Sequence, residues 1–162
     1  IRLVRYNEHV TNIEPVDTLL IIRNHDKPGV IGEVGTVLGK AGINLRALNL
    51  VDTGAFGQLR LLVSDVGSAR RILMKMQIPA FINEVVAAEI ADKPGSLASV
   101  LRPLKDANVN VIFMYAFINI SYDKAVMIFR FSDNDKAVEV LQQNGIRLLD
   151  AEAFGILESN GQ

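Results

Sequence analysis

Asp26-Lys27-Pro28-Gly29-Val30-Ile31-Gly32 is answered 66 residues later by Asp92-Lys93-Pro94-Gly95-Ser96-Leu97, and this recurrence decides the fold. At the same offset Ala41-Gly42-Ile43-Asn44-Leu45 meets Ala107-Asn108-Val109-Asn110-Val111. Ser64-Asp65 and Leu73 then meet Ser132-Asp133 and Leu141 at an offset of 68. The extra residues fall within 119–124 of the second copy, where a longer hairpin loop costs little entropy. One short match is chance. Several in register, with a single change of loop length, are a duplication, and a repeat is the first thing to read in any chain.

Each copy reads outward from its motif in the same way. Residues 19–22 form a short apolar run rich in β-branched side chains, as in a strand. The Asp-Lys-Pro-Gly turn follows and doubles as a helix start, with Asp as the cap and Pro in the first turn. Behind it Val30, Ile31, Val34, Val37, Leu38 and Ala41 recur at helical spacing and stop at Gly42, a helix-closing residue. The second copy supplies Leu97, Val100, Leu101, Leu104 and Ala107. Pro103 is expected to bend that helix or to leave a carbonyl unpaired. Strands are predicted at 45–52 and 58–64, joined by a turn at Thr53-Gly54, and at 111–118 and 125–131. Helices are predicted at 68–76 and 135–143, and closing strands begin near Pro79 and Arg147.

The order is therefore βαββαβ, twice. Right-handed strand–helix–strand connections place both helices of a unit on one face of a four-stranded antiparallel sheet. The fold class is α+β, with two ferredoxin-like units and an N-terminal β-hairpin. The expected domains are 1–16 (the hairpin, a remnant of an upstream domain, since the chain begins at Ile1 and not at Met), 17–84 and 85–162. Residues 81–91 hold no breaker, so the last strand of the first copy is expected to run directly into the first strand of the second. Residues 154–157 repeat an opening strand and are expected to pair with an open sheet edge.

Composition narrows the function. Of 162 residues 49% are hydrophobic and 22% charged, with a formal net charge of -1, which argues against nucleic acid or an anionic membrane as partner. There is no cysteine and only His9 and His25, so disulfides and thiolate chemistry are excluded and a cytoplasmic location is expected. No apolar run is long enough to span a bilayer. No nucleophile–base pair or metal-ligand cluster is visible, so neither an enzyme nor a metal or cofactor site is expected. Gly29-Val30-Ile31-Gly32 matches the four-residue loop of KH domains, but in the wrong element order and with little basic character. An RNA-recognition motif would need aromatics where 59–63 reads Leu-Arg-Leu-Leu-Val. The glycine spacing does not fit a dinucleotide fingerprint. Tyr115, Phe117, Phe129 and Phe131 read as core and interface surface.

The motif set resembles the ACT family of amino-acid-binding regulatory domains. Residues 19–23, the 26–32 loop and helix start and 41–45 carry the resemblance in the first copy, and 92–97 and 107–111 in the second. Residues 1–50 are similar to the regulatory C-terminal region of phosphoglycerate dehydrogenases and of L-serine dehydratase β-chains. From Ala47 onward, residues 52–57 and 111–117 look more like stand-alone bacterial tandem-ACT proteins. The resemblance implies a regulatory module controlling amino-acid metabolism, a homodimer, and a ligand held at the interface between ACT units. That ligand is serine or another small or branched amino acid.

In serine-binding ACT domains the corresponding positions imply contacts from Asn24, Asp26 and Asn44; where those domains carry histidine this chain has Asn24, and the second copy has Ile90. The residues support such chemistry. A helix N-terminus attracts the ligand's carboxylate, which brings in Gly29, Val30 and Ile31, and Gly95, Ser96 and Leu97. Gly29 and Gly95 let a ligand approach the backbone. Asp26 or Asp92 can accept from the ammonium, and Asn44 and Asn110, beside Leu45 and Val111, offer both donor and acceptor. The plainer alternatives stay open: Asp26 and Asp92 as helix caps, Gly29 as a packing residue, Asn44 satisfying strand-edge groups. A structural or oligomerisation module without ligand is the competing function.

Overall fold

The computed structural model describes residues 4–6, 9–11, 17–24, 29–52, 57–117 and 123–150. Short strands β1 (Val4–Tyr6) and β2 (His9–Thr11) pair antiparallel as the expected hairpin, with Arg5 opposite Val10. The chain divides into two compact units, one holding Thr18–Asn83 and the other holding these hairpin strands with Glu84–Asp150.

The first unit contains β3 (Asp17–Asn24, beginning one residue earlier), α1 (Val30–Lys40), β4 (Leu45–Asp52), β5 (Gly57–Val63) and α2 (Val66–Lys75). It closes with the start of β6 (Ala80–Ala91). Strand β5 is central, pairing antiparallel with β3 (Leu20 opposite Leu61) and with β4 (Leu48 opposite Leu61), while β6 follows β3 in the strand order. Leu20, Ile22, Leu59, Leu61 and Val63 point to one face, where Val34 and Leu38 of α1 and Ala69 and Leu73 of α2 cover them. Burial of each such leucine stabilises the fold by roughly 1.5–3 kcal/mol.

The second unit repeats the plan with the rest of β6, α3 (Ser96–Asp106), β7 (Val111–Phe117), β8 (Lys124–Phe131), α4 (Asn134–Gln143) and β9 (Arg147–Leu149). Strand β8 pairs with β6 and β7, and β9 pairs with β6 on its other side. Its core joins Val86, Val100, Leu104, Phe129, Phe131 and Leu141, with the rings of Phe129 and Phe131 5.3 Å apart. Strand β6 is a single run of 12 residues through the boundary between Asn83 and Glu84, as the unbroken sequence implied.

Three details depart from the simple pattern. Leu19, Ile21 and Leu62, and likewise Val85, Ala87, Val126 and Ile128, are buried although they alternate with core-facing neighbours. Two-sided burial explains why these strands read as continuous apolar runs. Next, α3 carries on through Pro103 to Asp106, though Pro103 has no N–H to offer the carbonyl of Ser99. Last, β4 and β7 each carry a β-bulge at the same place, between Leu45 and Ala47 and between Val111 and Phe113. The expected strand at 154–157 and the hairpin insertion in 119–122 lie outside the described residues.

Candidate functional site

The helix starts correct one expectation. Asp92 is not the cap of its helix: the N-caps of α1 and α3 are Gly29 and Gly95, left-handed at φ 96° and 91°, and neither position has a side-chain cap hydrogen bond. Only glycine holds such a backbone without strain, and a Cβ built there would have nothing within 4 Å. Each glycine therefore leaves space over the first turn of its helix, although in α3 the Ser96 N–H already donates to the Lys93 carbonyl at 3.2 Å. Asp92 is exposed in the turn before Gly95, where its N–H donates to the Asp123 carbonyl at 2.8 Å, so Pro94 precedes the cap and does not occupy the first helical turn. Asp26 and the side chain of Asn24 lie outside the described residues. Ile90, at the position matching Asn24, packs against the second core.

Around these glycines the proposed contacts divide. Val30 and Leu97 pack against the two cores, whereas Ile31 is 40% exposed and Ser96 half-buried. At the opposite end of each α1-type helix the same division recurs. Leu45 and Val111 pack inward, and Asn44 and Asn110 are exposed. The asparagine amides do not serve the strand edge. That work falls to Ser64 and Ser132, in mirrored pairs: Asn44 N–H donates to Ser64 Oγ at 2.9 Å and Ser64 N–H to the Asn44 carbonyl at 2.9 Å. In the second copy Asn110 N–H reaches Ser132 Oγ at 3.1 Å and Ser132 N–H the Asn110 carbonyl at 2.9 Å. With the backbone satisfied, both asparagine side chains stand exposed at the strand starts.

Geometry brings the glycine and its neighbours together but separates them from the asparagine. Asn24 pairs with Gly57, and Gly57 with Asp52, at one end of the first sheet, while Leu45 pairs with Val63 at the other. Helix α1, of 11 residues, spans the gap, about 16 Å at 1.5 Å per residue. One ligand the size of an amino acid cannot touch Gly29 and Asn44 of the same copy.

Two further residues were visible in the sequence only as repeat markers. Asp65 and Asp133 cap α2 and α4, accepting from Ser68 N–H at 2.8 Å and Lys136 N–H at 3.0 Å. The Ser68 backbone and hydroxyl beside Asp65 hold its carboxyl below the usual range. Glu89 is lowered likewise, first by its hydrogen bond from Lys124 at 2.9 Å and then by Arg147 at 3.2 Å. Among the described residues no group of His, Asp or Glu is placed to hold a metal, and no helix is long and apolar enough to cross a membrane.

Comparison with known proteins gives four findings. A family model described as an ACT domain pair matches residues 16–157. The solved structure of protein BT0572 from Bacteroides thetaiotaomicron is 36% identical, with a TM-score of 0.81, over 88% of this chain and 97% of that one. The D-3-phosphoglycerate dehydrogenase of Mycobacterium tuberculosis is 34% identical over 89 residues, 52% of this chain but only 17% of the relative. The ligand-free regulatory subunit of aspartate kinase from Thermus thermophilus shares the fold at 16% identity, with a TM-score of 0.58 over 78% of this chain and 91% of that one.

Proposed function

The chain belongs to the family of ACT domain pairs, and on that premise we propose that it is a regulatory module that takes up a free amino acid in the control of amino-acid metabolism. The observation that carries the reading is the duplicated left-handed glycine at the head of α1 and α3, with open space over it and no side-chain cap beneath. A carboxylate there meets backbone N–H groups and the positive end of a helix. The exposed amides of Asn44 and Asn110 suit the ligand's ammonium and carboxylate together. Because the two features sit at opposite ends of one copy, a ligand that uses both draws them from different ACT units. A homodimer supplies such units. Serine or another small or branched amino acid fits, and the first copy, with Asn24 in place of Ile90, is the stronger site. The ligand regulates by binding one assembly more tightly than another. No catalytic step is assigned to the chain, and a cytoplasmic location accompanies the reading.

The test is a melting panel of free amino acids at millimolar concentration. A ligand present at 100 times its Kd adds about 2.7 kcal/mol, a rise of about 5–10 °C for a chain this size. A panel in which every amino acid leaves the melting temperature unchanged ends this reading.

A second reading, assembly without ligand, is favoured by the edge strands. Leu48 and Leu50 on β4 and Ile112 and Met114 on β7 are 41–59% exposed on strands that end the strand order. Such edges invite pairing with another chain. A stable dimer in sedimentation, unchanged by every amino acid, selects this reading over the first.

A further inference from the structure

Within the second unit, the corner between β8 and α4 joins parts that the first copy leaves apart. Ser132 holds Asn110 by the reciprocal pair already described. Two residues on, Asn134 is buried to 7% relative exposure and uses both ends of its amide: Oδ1 accepts from Phe131 N–H at 3.0 Å and Nδ2 donates to the Glu84 carbonyl at 3.1 Å. The same carbonyl accepts from Arg130 Nη1 at 3.2 Å. The β6–β8 ladder ends with Val86 opposite Phe129, and the same spacing carried on would set Glu84 opposite Phe131. The Asn134 amide therefore lies between an N–H and a C=O that would otherwise be ladder partners, as a wedge at the point where β6 passes from one copy to the other. Both lone pairs of the Glu84 carbonyl are used, and the donor–acceptor roles fix the amide's orientation.

At the matching positions the first copy has Leu62 and Val66, with no donor, and Thr18 in place of Glu84. We propose that the Arg130–Asn134 corner is a relay, built only into the second copy, that carries a displacement at Asn110 to β6 at Glu84. Ser132, Asp133 and Asn134 are consecutive and each is tied by a short hydrogen bond, so the Asn110 strand start cannot shift without moving the amide between β6 and β8. The proposal rests on the amino-acid reading only for what pushes on Asn110; the mechanical link stands without a ligand. Asn134 and Arg130 are positioning residues, acting on β6 and not on the ligand.

The experiment measures hydrogen exchange of the Val85 and Val86 amides in the full chain without added amino acid. The variants are Ser132→Ala, Asn134→Val and their double. Valine is the first copy's own residue at that corner, so the substitution suits a folded helix start. Ser132→Ala, which loses one ordinary hydrogen bond, is expected to speed exchange about fivefold, and Asn134→Val, which loses two, by more. The double is expected to be no faster than the faster single, because both break one path. Ser64→Ala, the same change in the first copy, leaves these amides unchanged. If Ser132→Ala has no effect at Val85 and Val86, or if the two effects multiply, the relay is overturned. Should Asn134→Val fail to fold, Arg130→Leu takes its place under the same criteria. A silent amino-acid panel would sink the sensing function without touching this result, and the converse also holds.

Discussion

In the first copy Asn24, Leu62 and Val66 stand where the second has Ile90, Arg130 and Asn134. Around those positions nearly everything else is shared: a left-handed glycine before the first helix, a bulge after the asparagine, a mirrored Asn–Ser pair, and an aspartate cap on the second helix. The backbone scaffold has been kept twice while the polar side chains have been divided. Only the first copy has a polar residue at the position of Asn24, and only the second has Arg130 and Asn134 beside the strand that joins the copies. A duplicated fold can thus diverge at single polar positions without changing its hydrogen-bonded frame.

The largest effects test whether the frame is equal in both copies. Leu38→Ala and Leu104→Ala occupy the same place on α1 and α3, both essentially fully buried, and each is expected to cost about 2–5 kcal/mol. Chemical denaturation followed by exchange of amides in each unit checks this; unequal losses would show that one core carries the other. Next comes the division of chemistry. Gly29→Asp should cost about 1 kcal/mol through its positive φ and, under the proposed function, abolish the amino-acid melting shift by placing a negative charge where that reading docks a carboxylate. Gly95→Asp should cost as much and leave the shift largely in place. If Gly95→Asp removes the response and Gly29→Asp does not, the ranking of the two sites is inverted.

Smaller effects sharpen the likeness. Asp65→Ala and Asp133→Ala each remove one cap and should lower stability by about 1 kcal/mol apiece, read from paired melting curves. The least effect is on acid. A carboxyl whose folded pKa is depressed, as for Asp65, contributes stability that is complete above its ordinary value of about 4 and is lost as pH falls through the folded value. Glu89 of the second copy shifts in the same direction, so both copies weaken in the same acid range. Melting followed from neutral pH downward should show a shallow decline that starts near pH 4 and flattens in the Asp65→Asn, Glu89→Gln double variant.

Much of this architecture was legible in the sequence because period and repetition do not depend on tertiary detail. The matches at offsets of 66 and 68 gave the element order, and the run at 81–91 gave the shared strand. What escaped depends on single residues whose role is set by three-dimensional context. Asp26-Lys27-Pro28-Gly29 reads equally well with aspartate or glycine as the cap, and only the backbone angle at glycine decides. The bulges add one residue to β4 and β7, a change invisible to an alternating pattern already blurred by two-sided burial. Asn134 sits in a polar stretch of Ser-Asp-Asn-Asp at the start of α4, where nothing in the sequence marks it as the one buried polar side chain among the described residues. The placing of Asn44 apart from Gly29 could have been foreseen from helix length alone, since residue 44 follows the helix that residue 29 begins.

Strand β6 has a consequence for how the pair can be taken apart. Modules in tandem are ordinarily joined by a loop, and loops are where proteases nick and where gene rearrangements cut cleanly. Here the joint is a hydrogen-bonded strand whose middle residues, from Val85 to Ala88, are fully buried. A protease finds no linker at the boundary, and a recombination break at Asn83 and Glu84 would leave both halves with a severed sheet.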